Sequence, residues 1–462
     1  MEQTLLGLTN PQVALVMMFS FIFIVLLGFP IAFTLLALGI FFGYYAYLDP
    51  SKVAEAGIFA NRIFDLVVKN THSVMENHVL IAVPLFLFMG YVVERSGIIT
   101  RLFESIRMAT AKLPASMAVA ALITCALFST ATGIVGAVVT LMGLLAWPAM
   151  IRAGYNKKFA SGVICAGGTL GILIPPSIMF IVYAAMASLS PIRLFAAAFI
   201  PGMMLAGLYC IYCIGVGIFY PHLAPKPKLS ELPPKLVIYR NLIKDFVPLL
   251  ILILLVLGVI LLGLATPAEA AAAGAIGAIL LAFYYKNMNW KNLKESVYLT
   301  TRSSAMIMWL FVGSWTFASV FSYLGGHKVF EEFFAGLGLE PWQFLILTQI
   351  IIFLLGFPLE WTEILIIFVP IFLPLLKLYG IDPYFFAILV GLNLQMSFLT
   401  PPMAMSAYYL KGVQSKNVLL SEIFIGMIPF LFVVMLSMVL LYNFEGLATW
   451  LPDVLFGAET KR

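Results

Sequence analysis

Gly167-Gly168-Thr169-Leu170-Gly171-Ile172-Leu173-Ile174-Pro175-Pro176-Ser177 lies inside a long apolar run. A helix cannot pass smoothly through Pro-Pro, because two backbone donors vanish and the rings clash with the preceding turn. In lipid, the freed backbone groups must be satisfied by protein, water or an ion. A helix broken at mid-membrane is therefore a candidate binding site. The same feature returns as Asn393-Leu394-Gln395-Met396-Ser397-Phe398-Leu399-Thr400-Pro401-Pro402, again within an apolar run.

The surrounding composition supports a membrane setting. Of 462 residues, 63% are hydrophobic and only 10% charged, which predicts an all-α polytopic membrane protein. The apolar runs are continuous rather than alternating, which argues against strands. A net charge of +5 without a long basic tract gives no expectation of a nucleic-acid partner. Cys210 and Cys213 have CxxC spacing but fall on one hydrophobic helix, where packing is the expected role. The N-terminus lacks a basic n-region and a small-residue cleavage site, so the first helix is expected to be retained.

In chain order, apolar helices are predicted over 11–28 and 31–48, then an interfacial stretch over 50–78, where His72 and His78 read as solvated, and a span over 79–94. Residues 115–151 are apolar but interrupted by Ser129-Thr130-Ala131-Thr132-Gly133. Each arm is short against the roughly 20 residues a span needs, which predicts a re-entrant hairpin. The first broken helix covers 157–190 and a further span 194–219. A polar, Pro- and Lys-rich linker, 220–242, divides the chain. Spans follow at 243–264 and 267–285, then a basic amphipathic piece with Lys286, Lys291, Lys294 and Arg302, a span at 303–324, and an acidic loop with Glu331, Glu332 and Glu340. A second interrupted pair covers 343–378, with Gly356-Phe357-Pro358-Leu359-Glu360-Trp361-Thr362 at its tip. The second broken helix covers 383–411, the last span 418–443, and 444–462 form a tail.

The halves 1–219 and 243–443 share their punctuation. At an offset of 226 residues, Pro148 meets Pro374, Gly154 meets Gly380, Pro175-Pro176 meets Pro401-Pro402, and Tyr183 meets Tyr409. Each half has five crossings and one hairpin, and an odd number inverts the second half relative to the first. This is the inverted-repeat plan of many secondary transporters. Placing the loops 95–112, 152–158, 220–244, 286–302 and 411–416 in the cytoplasm gives that side most of the 26 lysines and arginines. Both termini are then predicted to be periplasmic.

Two hairpin tips and two broken helices meeting at mid-membrane would leave unpaired backbone groups. Carbonyls at half-helix C-termini suit Na⁺, and amides at N-termini suit anions. Hydroxyls add ligands without buried charge: Ser129, Thr130, Thr132, Thr169 and Ser177 in the first half, and Thr362, Ser397 and Thr400 in the second, with Asn393 as an amide. Glu360 is either a functional tip carboxylate or an exposed tip charge. Glu269, in Thr266-Pro267-Ala268-Glu269, has the spacing of a capping box and is assigned to capping. There is no GxxxxGK[ST], HExxH or GxSxG motif, so the chain is not read as an enzyme or as an ATPase of that type. Transport would draw on an ion gradient, one Na⁺ crossing about 100 mV contributing roughly 2.3 kcal/mol.

The run Ala166 to Ser177 closely resembles the signature of the large membrane subunit of tripartite ATP-independent periplasmic (TRAP) transporters. Arg152-Ala153-Gly154-Tyr155, Tyr379-Gly380-Ile381-Asp382-Pro383 and Asn393 to Pro402 fit as well. The resemblance implies an elevator-type Na⁺ symporter of the bacterial inner membrane. A small four-helix membrane subunit, not expected to be fused here, would brace it, and a periplasmic substrate-binding protein would deliver a small carboxylate. No cofactor is implied beyond Na⁺ as coupling ion. Carried over by position, the substrate and ion residues are Ser129, Thr130, Thr132, Gly133, Gly168, Thr169, Ile174, Pro175, Pro176, Ser177, Gly356, Glu360, Thr362, Asn393, Ser397, Thr400 and Pro401. Na⁺ is expected near Ser129, Thr130, Pro175, Gly356 and Thr400. Many members carry Ser-Gly-Ser-Ser at the first tip, where this chain has Ser129-Thr130-Ala131-Thr132-Gly133. The alternative is a self-sufficient dicarboxylate/Na⁺ symporter of the same broad architecture.

Overall fold

The computed structural model describes residues 8–49, 57–226, 234–414 and 418–457. Among these the chain is helical, without a strand. Seven helices are long and apolar enough to cross a membrane, or nine if each of two bent pairs counts as one span. The first half holds α1 (Asn10–Leu26), α2 (Ile31–Ala46), α3 (Arg62–Met75), α4 (Ala82–Arg95) and α5 (Ile98–Ala109). It continues with the hairpin α6 (Ser116–Thr132) and α7 (Val135–Arg152), the broken helix α8 (Lys157–Leu173) and α9 (Ile178–Ala187), and α10 (Pro191–Phe219).

The second half holds α11 (Lys235–Ile253), continued through a π turn at Leu254–Gly258, then α12 (Pro267–Tyr284), α13 (Trp290–Tyr323) and α14 (Gly326–Gly336). Its hairpin is α15 (Pro341–Leu355) with α16 (Trp361–Leu378), and its broken helix is α17 (Pro383–Ser397) with α18 (Met405–Val413). α19 (Leu420–Asn443) and α20 (Gly446–Phe456) end it. Both Pro-Pro breaks interrupt a helix where the sequence places them, and both Pro-Pro bonds are cis. Local signals fix several starts. Asn156 and Asp382 cap α8 and α17 by accepting from the backbone amides that follow them. Thr266 and Glu269 form the expected capping box, Glu269 Oε2 accepting from Thr266 N at 2.8 Å.

Four boundaries differ from the sequence reading. The amphipathic piece and the span after it are one 34-residue helix, α13. Glu331 and Glu332 lie on a short helix, α14, rather than in a loop. α11 begins at Lys235, inside the stretch assigned to the linker, whose residues 227–233 lie outside the described chain. The region assigned to a tail contains α20, which packs on α10, and Arg193 donates to the carbonyls of Phe456 and Gly457. Residues 50–56 of the interfacial stretch and 458–462 of the tail also lie outside the described residues.

The helices pack in exchanged pairs. α2 packs on α13, and their counterparts α12 and α4 pack on each other. α19 packs on α8 as α10 packs on α17, and α18 packs on α7 as α9 packs on α16. Each of these contacts between halves has a twin with the roles of the halves reversed, as a two-fold relation between the halves requires. The crossings are close where glycines meet. A Cβ on Gly162 of α8 would lie 2.0 Å from the Gly426 carbonyl oxygen on α19. Two groups result: α1–α5 with α11–α14, and a second group containing both hairpins, both broken helices, α10, α19 and α20.

Candidate functional site

The first tip is tight. α6 runs to Thr132, Gly133 adopts φ +63°, and α7 starts at Val135. Gly133 supplies the left-handed conformation that ends a helix without a Cβ penalty. It faces Ile178, the first residue of α9. Gly168 admits α7, since a Cβ there would sit 2.2 Å from Val139 Cγ2. Residues 171 to 180, including Ile174, Pro175, Pro176 and Ser177, are all buried. Ser177 Oγ donates back across the break to Ile172 O at 2.5 Å. Thr130, Thr132 and Thr169 donate to Leu127, Phe128 and Ala166 carbonyls of their own helices. A hydroxyl that donates its one proton keeps lone pairs for a cation, so these bonds leave the oxygens available as ligands.

The second tip is longer and charged. Gly356 to Glu360 join α15 to α16, and Thr362 is buried in the first turn of α16. Glu360 N donates to Glu363 Oε2 at 2.5 Å, which fastens the start of α16. Thr400 Oγ1 donates to Met396 O at 2.9 Å, while Pro401 and Pro402 are exposed. A cleft of about 200 Å³ lies here, lined by Pro358, Glu360 and Glu363 of the tip, Met403 and Met405 of the break, and Gly28 and Phe29 between α1 and α2. Neither glutamate has an ion-pair partner among the described residues. Glu360 therefore lines the junction of tip, break and the first helical pair. Glu363 does so too and was missed in the sequence, where it reads as one more residue of α16.

Each tip meets its broken helix through one serine and one glycine. In the first half the serine is on the tip: a Cβ on Gly171 would lie 3.4 Å from Ser129 Oγ. In the second half the serine is on the helix: a Cβ on Gly356 would lie 2.1 Å from Ser397 Oγ. Gly171 and Ser397 stand 226 residues apart, at the repeat offset. Both serine hydroxyls are buried and have no hydrogen-bond partner among the described residues. A buried orphan hydroxyl costs about 1–3 kcal/mol, so each position is suited to an added ligand. Of the expected ion residues, Ser129 and Gly356 stand at these contacts. Thr130 and Pro175 lie beside the first, and Thr400 lies one turn beyond the second. Asn393, one turn before Ser397, instead meets Gln349 of α15, which the sequence reading did not single out; only its polarity within an apolar hairpin arm marks it.

Comparison with known proteins gives the same assignment. Residues 17–447 match the family model described as the DctM component of the tripartite ATP-independent periplasmic transporter. The chain is 30% identical over 379 residues to the C4-dicarboxylate TRAP transporter large permease protein DctM of Pseudomonas aeruginosa, covering 82% of this chain and 87% of that protein. It is 26% identical over 386 residues to the sialic acid TRAP transporter large permease protein SiaM of Vibrio cholerae, covering 83% and 88%. Among solved structures, the Alcanivorax borkumensis YdaH transporter aligns with TM-score 0.61 and 17% identity, over 96% of this chain and 100% of that one, a likeness of fold alone. With the match spanning both broken helices and both hairpins, the chain belongs to the DctM family: it is the large membrane subunit of a TRAP transporter, and not an enzyme.

Proposed function

We propose that the protein imports a small organic acid across the bacterial inner membrane, driven by Na⁺, with the substrate delivered by a periplasmic binding protein and a small membrane subunit bracing the complex. The observation that carries this reading is the paired Ser–Gly contact. Two orphan hydroxyls, one at each of two matching contacts and each beside a helix end, suit two Na⁺ ions. Filling each contact would draw a tip onto its broken helix. The curated relatives named for C4-dicarboxylate and sialic acid transport support an organic acid as cargo. The partners come with the tripartite family.

The two groups of helices support an elevator movement. The second group holds both tips and both breaks, so moving it as a body against the first would carry the whole site across. In the orientation set by the basic loops, the first tip enters from the cytoplasm and the second from the periplasm, with both termini periplasmic. The test is uptake into proteoliposomes holding this chain with its small subunit, under an inward Na⁺ gradient, with and without the cognate binding protein and across a panel of carboxylates. Uphill uptake that needs both Na⁺ and the binding protein is expected. Uptake with Na⁺ alone would indicate a self-sufficient symporter. No accumulation by folded protein under any gradient would refute the reading.

A further inference from the structure

Gln349 lies on α15 two turns before Gly356, and Asn393 lies on α17 one turn before Ser397, so the four residues form one seam between the two helices. Gln349 is 9% exposed and Asn393 is fully buried. Asn393 Nδ2 donates to the Gln349 backbone carbonyl at 2.7 Å and to Gln349 Oε1 at 2.8 Å. These two bonds fix both amides. Turning Asn393 over would set its oxygen against a backbone carbonyl, and turning Gln349 over would set one NH₂ against another. The fixed arrangement leaves Gln349 Nε2, Asn393 Oδ1 and Ser397 Oγ without partners among the described residues. Gln395 Oε1 is also unpartnered, but two residues on it leaves α17 from another face.

The orphan amide donor of Gln349 and the orphan amide acceptor of Asn393 ask for a group that both accepts and donates. We propose that it receives a hydroxyl of the transported acid, and that Gln349 with Asn393 selects hydroxycarboxylates over their deoxy counterparts. This rests on the organic-acid reading above and narrows its substrate class. A hydroxyl accepts from Gln349 Nε2 and donates to Asn393 Oδ1, which leaves Ser397 Oγ to the ion. A keto oxygen would leave Asn393 Oδ1 unmet, and a bare cation would leave Nε2 unmet. The four residues are uncharged, so the seam reads a neutral group and leaves the carboxylate to the helix ends. Gly356 lies over Ser397, so lifting the second tip uncovers the seam.

The test uses the purified complex of this chain with its small subunit, in Na⁺ and without the binding protein, so that no soluble receptor filters the ligand. Binding of malate against succinate, and of lactate against propionate, is followed by calorimetry and by thermal shift. Half-saturation about tenfold lower for each hydroxy acid is expected, the worth of one or two neutral hydrogen bonds. Gln349→Met keeps volume and removes both donors. It should bring the ratio close to one while the melting shift caused by Na⁺ alone persists. Equal affinities in the unaltered protein overturn the proposal, and that comparison stands even if the variant does not fold. A preference that survives Gln349→Met also overturns it and leaves the seam to water. Failure of all four acids to bind, with the Na⁺ shift intact, overturns this proposal and leaves the organic-acid reading to the uptake panel above.

Discussion

The two halves share a plan but differ at their breaks. In the first, α8 is clasped along its length by both hairpin arms, and every residue around Pro175-Pro176 is buried. In the second, the arms α15 and α16 scarcely touch each other, Pro401 and Pro402 are exposed, and a cleft with two carboxylates lies beside them. One repeat is closed over its break and the other is accessible. An inverted repeat whose halves exchange such conformations would present one site to alternate sides, and an asymmetric structure is what a single state of that cycle looks like.

The largest expected effect breaks the crossing that holds α8 of the closed half against α19. Gly426→Val drives a side chain into the Lys158 carbonyl oxygen, 1.9 Å from a Cβ at that position. Backbone has nowhere to move in this crossing, so a loss of about 3 kcal/mol or more is expected, read as loss of folded protein in detergent. Gly412→Ala in the open half, with nothing within 4 Å, should leave melting unchanged. Next, Gly356→Ala displaces Ser397 Oγ and holds the second tip off its helix. Uptake should fall about 100-fold with the fold retained, as expected for a misplaced tip. Gly171→Ala meets Ser129 at ordinary contact distance and should cost far less.

A smaller pair separates structure from ion binding. Ser177→Ala removes the bond to Ile172 across the first break and should lower stability by about 1 kcal/mol, with Na⁺ half-saturation unchanged. Thr400→Val keeps shape and removes a hydroxyl beside the second break. It should raise Na⁺ half-saturation several-fold and cost about the same 1 kcal/mol through the lost bond to Met396; an unaltered Na⁺ curve would remove Thr400 from the site. The smallest effect is expected at Glu363. Glu363→Gln still accepts from Glu360 N, whereas Glu363→Leu does not, so only the leucine variant should loosen the start of α16, by about 1 kcal/mol or less in thermal melts.

What was legible in the sequence follows from local chemistry. Pro-Pro breaks, the short hairpin arms and the Thr266–Glu269 cap each announce themselves within a few residues. α13 did not, because a basic face is no stop signal: the 34 residues of Trp290–Tyr323 contain no proline, and their one glycine lies within the span. α14 and α20 are short helices made stable by their neighbours, which a local reading misses. At the site, the hydroxyls were visible as residue types, but the Ser129–Gly171 and Ser397–Gly356 contacts join distant parts of the chain. Gln349 and Glu363 gain meaning only from what packs against them.

The paired Ser–Gly contacts carry the account, and the Na⁺ dependence of uptake in Ser129→Ala and Ser397→Ala proteoliposomes tests them most directly. Each variant should fold, raise Na⁺ half-saturation and lower the cooperativity of Na⁺ activation if each removes a ligand from one of the two proposed ion sites. Na⁺ curves that superpose on the unaltered protein's in both variants would contradict the claim that these two contacts bind the coupling ions.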